Sequence, residues 1–365
     1  MKTLLKLLLK TQHHQNHSGL AKTEKGMTLV ELLVGAIMAF LIITPMLGFV
    51  VDMLNTDRRE QVKSNTEQDL QAAVDFIAQD LSQAIYIYDN NSAITSTATT
   101  TPTGIPALLA GNFIPPRDAT QTPILVFWKR QLLKNSIPLT AGVQPNTCTT
   151  TPTGANTCND TYVLALVAYY QVREVNPNSI WCQPSGANCP TRIIRYQIQD
   201  GLRDPNSTNP DLSQRYFTGV TTGQQRSPAF FAGGPNQAGF DISNPTQNVT
   251  RGAANFAANP PEVLVNYIDN STVGVPAPPN CKTTLGVQDP PAPAAALTPP
   301  EVLITDGSTH SFYACVDTAK NIARVTIRGN SLRRLQPNDA DFKTTSSAFF
   351  PTASVQVQGI GALGK

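Results

Sequence analysis

Charged residues are scarce in this chain of 365 residues: Asp, Glu, Lys and Arg make up 14% of it and leave a formal net charge of +2. The basic residues form no cluster, and neither zinc-ligand spacing nor an RNP-like motif occurs. The sequence therefore gives no support to nucleic-acid binding. The hydrophobic content of 41% is adequate for one core.

Catalytic signatures are also missing. The chain has no G-x-S-x-G elbow, P-loop, H-E-x-x-H pair or glycine-rich dinucleotide turn. His310 stands alone in a predicted strand and is expected to be an ordinary structural or surface residue. The segment from Asp204 to Asp211 has several oxygen-bearing side chains, but Pro205 and Pro210 break the spacing of a calcium loop. We therefore expect no enzymatic activity, no metal and no cofactor.

One long apolar run dominates the N-terminal part of the chain. Leu29 to Val51 carries a single charge, Glu31, together with polar Thr44 and helix-breaking Pro45. A helix from Met27 to Val51 would rise roughly 37 Å at ~1.5 Å per residue, which is enough to cross a hydrocarbon core of ~30 Å. Charged residues flank the run on both sides: Lys22, Glu24 and Lys25 before it, and Asp52, Asp57, Arg58 and Arg59 after it. The pattern predicts a membrane span over 27–54.

The position of Glu31 is unusual for a plain anchor. An ionised side chain at mid-depth in a membrane costs roughly 2.5–3.5 kcal/mol, and less near the edge. A cut between Gly26 and Met27 would supply a partner, because the new α-amino group is a cation four residues before Glu31 on the same helical face. The alternative is a signal-anchor with an incidental glutamate. Glycine, a start residue, Glu31 and an unbroken apolar run resemble the type IV prepilin and pseudopilin processing site.

The resemblance implies several processing steps. A prepilin peptidase would cleave after Gly26 on the cytoplasmic side and remove a leader, residues 1–26, and Met27 would then be N-methylated. Major pilins usually begin with Phe where this chain has Met27. Pro45, the expected helix kink, is nineteenth in the mature chain and slightly earlier than is usual in the family.

The leader itself is basic, with lysines at positions 2, 6, 10, 22 and 25, and its apolar stretch Leu4–Leu9 is too short to span a membrane. A basic segment before a span holds the N-terminus in the cytoplasm. No A-x-A-like cleavage site follows the apolar run, so the span is expected to stay with the protein.

The helix is predicted to continue beyond the span. An apolar stripe at helical spacing alternates with charges through the amphipathic segment 55–91, and Asp89-Asn90-Asn91 is predicted to end the helix. The stripe consists of Val62, Leu70, Ala73, Val74, Ile77, Leu81, Ala84, Ile85 and Tyr88. The stretch Ala73–Tyr86 also resembles the helix end of J-type pseudopilins and W-type minor pilins.

Residues 92–365 are predicted to form a β-rich extracytoplasmic domain with long Pro- and Asn-rich connections. Seven segments are rich in β-branched and aromatic residues: Ile124–Trp128, Tyr162–Glu174, Arg192–Gln199, Glu262–Ile268, His310–Val316, Ile322–Arg328 and Ser354–Gln358. The second and third are predicted to pair antiparallel. The fold class expected is α+β, with the outer half of one long helix packed on an antiparallel sheet, as the resemblance to pilins also implies.

All six cysteines follow the apolar run, which favours disulfide bonds in an oxidising compartment. Six cysteines allow 15 connectivities. Proximity favours Cys148–Cys158 and Cys182–Cys189, which leaves Cys281–Cys315.

The resemblance implies a structural function. The chain would be a minor pilin or pseudopilin subunit whose partners are a prepilin peptidase and methyltransferase, other pilin subunits, an inner-membrane assembly platform and a secretion ATPase. The segments Ala73–Tyr86, Val302–Gly329 and Ser354–Gly359 also look like pseudopilins of filamentous cyanobacteria that are linked to polysaccharide secretion and gliding. Two alternatives stay open: a membrane-anchored adhesin or glycan-binding protein outside any filament, and an anchored hydrolase.

Overall fold

The structure is a computed structural model, in which the chain divides into two compact units, one up to Arg58 and one from Arg59 onward. We call them the N-terminal and C-terminal units. The structure describes residues 26, 28–90, 94–96, 99–101, 104–145, 148, 157–186, 188–210, 215–217, 220, 223–227, 230, 241–243, 256–287, 301–305, 307 and 309–361. Leader residues 1–25, Met27, Asp211 and much of the long connections lie outside these ranges.

The described residues form four α-helices and eleven strands. The helices are α1 (Leu29–Ser82), α2 (Gly104–Ala110), α3 (Cys281–Leu285) and α4 (Leu332–Leu335). The strands are β1 (Ala84–Ile87), β2 (Ile94–Ser96), β3 (Thr99–Thr101), β4 (Gln121–Pro138), β5 (Cys158–Arg173), β6 (Thr191–Gln199), β7 (Glu262–Ile268), β8 (Glu301–Ile304), β9 (Phe312–Asp317), β10 (Ile322–Arg328) and β11 (Thr352–Gln358). A long apolar helix with antiparallel sheets confirms the α+β class.

The strands form three antiparallel sheets. The largest has the order β1-β4-β5-β6-β7, the second the order β11-β10-β9-β8, and β2 pairs with β3. Each of the seven segments predicted as strands overlaps a strand of the structure, and β5 pairs antiparallel with β6 as expected. Their limits differ, however: β4 extends to Pro138, and β9 begins at Phe312, so His310 lies just before the strand. Strands β1, β2, β3 and β8 were not predicted.

The predicted end of the long helix is wrong. The helix ends at Ser82 rather than beside Asp89, and Ala84–Ile87 is an edge strand paired with β4. The side chain of Asn321 fixes this strand: its Oδ1 accepts from the Ile87 N–H at 2.9 Å and its Nδ2 donates to the Ala84 carbonyl at 3.0 Å. Isoleucine and tyrosine suit a half-buried pleated surface, so pairing with β4 overrides the helical periodicity.

The second part of α1, from Arg59 to Ser82, belongs to the C-terminal unit and packs on the sheets of that unit. Its buried face confirms the predicted stripe from Leu70 to Leu81. These residues share one core with side chains from both large sheets, including Phe127, Tyr169 and Ile327. Burying each large apolar side chain contributes roughly 1.5–3 kcal/mol.

A buried ionic cluster fixes α1 against the largest sheet. Asp80 on α1 accepts from Lys129 Nζ on β4, from Arg195 Nε on β6 and from the Tyr169 hydroxyl on β5, each at 2.7 Å. Burial raises the pKa of Asp80, but the charges and hydrogen bonds of Arg195 and Lys129 outweigh it and lower the pKa below its usual value. One carboxylate therefore joins the helix to three adjacent strands.

A second buried ion pair joins the two large sheets. Arg328 Nε at the end of β10 donates to Asp269 Oδ2, just after β7, at 2.9 Å. The Asp269 N–H donates to the Arg328 carbonyl at 3.0 Å, and Ile268 and Gly329 form an isolated bridge. Desolvation raises the pKa of Asp269 above its usual value, against the opposing effects of Ser271 and Arg328.

The structure contains three disulfide bonds: Cys148–Cys158, Cys182–Cys189 and Cys281–Cys315. The first two are the pairs predicted from proximity, and the third is the pair that this left. The first closes onto the start of β5, the second staples the connection between β5 and β6, and the third joins α3 to β9. Closing loops of this kind typically stabilises a fold by roughly 2–4 kcal/mol.

Candidate membrane and processing segment

The residues of the predicted processing site lie at the start of α1. Gly26 is exposed, and a Cβ atom added to it would meet no other atom within 4 Å. Met27 lies outside the described residues. Glu31 is exposed in the first turn of the helix.

Thr28 caps the helix, a feature that the sequence interpretation missed. Its hydroxyl accepts from the Glu31 N–H at 3.3 Å, and its carbonyl accepts from the Leu32 N–H at 3.1 Å. The pattern Thr28-x-x-Glu31 is the sequence signature of a capping box and could have been recognised. A carboxylate in the first turn also interacts favourably with the helix dipole. Glu31 thus has a local role besides any pairing with an α-amino group.

The first part of α1 is apolar and exposed. Its most apolar window of 18 residues has a mean hydropathy of 2.4, and none of that window is buried. Large side chains all around the helix are exposed: Leu29, Val30, Leu32, Leu33, Val34, Ile37, Met38, Phe40, Leu41, Ile42, Ile43, Met46, Leu47, Phe49, Val50, Val51, Met53 and Leu54. A helix that is apolar on every side requires an apolar environment. Among the described helices, only α1 is long and apolar enough to cross a membrane.

Pro45 lies inside this helix, which continues through it to Ser82. Proline has no N–H, so the carbonyl of Leu41 lacks its usual helical donor. One residue earlier in the helix, the Thr44 hydroxyl donates to the Phe40 carbonyl at 2.8 Å. The kink at Pro45 stays a prediction.

The other candidate residues do not converge on a chemical site. Asp204 accepts from the Asn206 N–H at 2.9 Å, as in an Asx turn. Within the described ranges, no group of three or more His, Cys, Asp or Glu side chains is placed to hold a metal ion.

A cleft of about 350 Å³ opens between Thr161–Leu164, near the start of β5, and Asp200–Arg203, which follow β6. Arg130 and Tyr162 lie at this cleft, with the guanidinium of Arg130 5.3 Å from the centre of the Tyr162 ring. Tyr162 is 59% exposed. The cleft offers a positive charge and an aromatic face to a ligand.

The chain was compared with protein-family models, curated proteins and solved structures. No family model, no curated protein and no solved structure matches the chain.

Proposed function

We propose that this chain is a non-enzymatic minor pilin or pseudopilin subunit. Residues 27–54 anchor it in the inner (plasma) membrane with the N-terminus in the cytoplasm and the C-terminal unit outside. A prepilin peptidase cleaves after Gly26, Met27 is N-methylated, and the mature chain enters a filament that resembles a type IV pilus or a type II secretion pseudopilus. The observation that carries the proposal is Glu31, the single charge of the exposed apolar run Leu29–Val51 of α1, which begins three residues after Gly26.

The C-terminal unit supports the same proposal. The amphipathic part of α1 is buried along one face by antiparallel sheets, an arrangement that pilin-like folds share. Its long connections would hinder close, repeated packing, which favours a minor subunit over the main one. The partners are then other pilin subunits, an inner-membrane assembly platform and a secretion ATPase. The filament would support secretion, including secretion of polysaccharide, or motility.

The processing step is tested with Gly26→Val. A protease active site at the membrane surface accommodates a backbone without a Cβ atom most easily, so we expect the valine variant to insert but to keep residues 1–26. Gly19→Val, a change of the same type within the leader, should be cleaved normally. Intact mass and N-terminal analysis of the membrane-extracted chains reads out both variants. Normal cleavage of Gly26→Val would remove the central step of the proposal.

A second candidate is a membrane-anchored adhesin or glycan-binding protein outside any filament. The cleft between β5 and Asp200–Arg203 favours it, because Arg130 and the exposed Tyr162 ring could hold a polar ligand. Processing separates the two candidates. A plain anchor has no reason to lose residues 1–26, whereas a filament subunit requires the cut.

A further inference from the structure

The strand β11 lies at an edge of the four-stranded sheet. All seven of its residues pair with β10 without a bulge, from Thr352 opposite Arg328 to Gln358 opposite Ile322. On the other side of β11, no strand pairs with it in the part of the chain that the structure describes. Such an edge presents a row of backbone donors and acceptors to another chain.

Two hydrogen bonds show which groups point outward. The Gly329 N–H donates to the Pro351 carbonyl, and the Gly359 N–H donates to the Asn321 carbonyl, each at 2.9 Å. Hydrogen-bonded and non-hydrogen-bonded pairs alternate along an antiparallel ladder. The backbone groups that face β10 therefore belong to Ala353, Val355 and Val357. Those that face outward belong to Thr352, Ser354, Gln356 and Gln358.

The side chains of β11 do nothing to block this edge. The outward residues are exposed and uncharged, while Ala353, Val355 and Val357 pack against the core. Edge strands are usually protected by charges, bulges, short length or a covering group. Strand β7 has Glu262 and an irregular register, β8 has only four residues, and the Asn321 side chain bonds to β1. Among the described residues, strand β11 has none of these protections.

The direction of β11 limits what can pair with it. A Cβ atom on Gly329, next to the start of β11, would lie 2.9 Å from Thr66 and Leu70, and one on Gly359 would lie 2.4 Å from the Ala84 carbonyl. Strand β11 therefore runs in the same direction as this part of α1. Antiparallel pairing with β11 of a second copy would place the two helices in opposite directions. Subunits that enter one filament from one membrane share a single direction, so this pairing does not fit.

We propose that β11 docks an extended, uncharged strand of a different subunit in the same filament, which pairs antiparallel with Thr352–Gln358. Backbone hydrogen bonds supply the affinity in such strand addition. A charged strand would meet no opposite charge on this edge. This inference rests on the proposed filament function and names the surface through which the subunit is recognised.

A matched pair of variants at Gln356 tests the edge. Gln356→Pro removes an outward N–H and no bond to β10, and proline is tolerated at such edge positions. Gln356→Ala removes the same side chain and keeps the N–H. We expect the alanine variant to enter filaments like the wild type and the proline variant to enter roughly tenfold less, as loss of one interface hydrogen bond predicts. The thermal unfolding midpoints of both purified chains should match the wild type.

Hydrogen exchange supplies the second readout. In the detergent-solubilised wild type, the amides of the four outward residues should exchange fast and those of Ala353, Val355 and Val357 slowly. In the filament fraction, all seven amides should exchange slowly. Slow exchange of the outward amides in detergent, with self-crosslinking of Gln356→Cys, would mean that a second copy covers the edge and would overturn the inference.

The failure of this inference is distinguishable from failure of the proposed function. Equal incorporation of Gln356→Pro and wild type, or unchanged exchange in the filament, overturns the docking edge alone. Wild-type chain that keeps residues 1–26 and is absent from filaments overturns both.

Discussion

The two parts of α1 differ in composition and in burial: the apolar part is exposed, and the part with many charges is buried along one face. From Leu29 to Leu54 the helix is almost entirely apolar, and its side chains are exposed. From Arg59 to Ser82 the helix carries many charges, yet Leu70, Ala73, Val74, Ile77 and Leu81 are almost completely buried. Among the described residues, the sheets of the C-terminal unit supply an apolar partner for the second part, and none covers the side chains of the first part.

Different physical effects act on the two parts of α1. Burial against a sheet stabilises the second part, so single substitutions there should lower the free energy of unfolding of the C-terminal unit. The first part exposes apolar surface that is long enough to cross a membrane. Substitutions there should change insertion or assembly and leave that free energy unchanged.

The largest effect on stability is expected at Asp80. Asp80→Asn leaves the charges of Arg195 and Lys129 buried without their carboxylate, and breaking a buried pair in this way costs ~3–5 kcal/mol. Asp75→Asn removes an exposed carboxylate that accepts from Gln71 on the same helix, and it should cost well under ~1 kcal/mol. Denaturant unfolding of both variants measures the difference. Equal stabilities would show that the cluster does not fix α1 on the sheet.

The next effect contrasts the same substitution in the two parts of α1. Ile77→Ala should lower the free energy of unfolding of the C-terminal unit by ~2–5 kcal/mol, because it leaves a cavity in the core. Ile42→Ala, in the exposed apolar part, should leave it unchanged. The comparison fails if Ile42→Ala destabilises the unit as much as Ile77→Ala does.

The smallest effect is a dependence on pH. Because the folded-state pKa of Asp80 is lowered, its contribution to stability is present above the unfolded-state pKa of about 3.9 and is lost as pH falls through the folded-state value. The difference in free energy of unfolding between wild type and Asp80→Asn should be complete above pH ~5 and shrink below pH ~4. A difference that grows on acidification would contradict this sign.

Much of the fold could be predicted from local sequence. The length of the apolar run, the buried stripe from Leu70 to Leu81, the seven strand segments and the disulfide pairs follow from spacing and side-chain type. The end of α1 could not be predicted, because Ala84–Ile87 continues the helical periodicity and becomes a strand only by pairing with Phe127–Lys129. Such a long-range contact has no local signal.

Some of the functional residues could likewise be predicted from the sequence, and others could not. Gly26, Glu31 and the apolar run are visible in the sequence, and so is the Thr28 cap once the capping pattern is considered. The ionic partners of Asp80 and the outward backbone groups of β11 depend on which strands are neighbours. They could be found only from the sheet order.

Substitution of Glu31 tests the central claim, that the exposed apolar helix is an assembly element and not only an anchor. Glu31→Val should insert and be cleaved after Gly26 but should fail to enter filaments, because the α-amino group of Met27 loses its partner. Glu31→Gln keeps a side chain that can take part in a capping box but removes the negative charge. If assembly depends on the charge and not on the cap, this variant should also fail to enter filaments. The measurement is the amount of mature chain in the filament fraction relative to the membrane. Incorporation of Glu31→Val at the wild-type level would contradict the account and favour a plain membrane anchor.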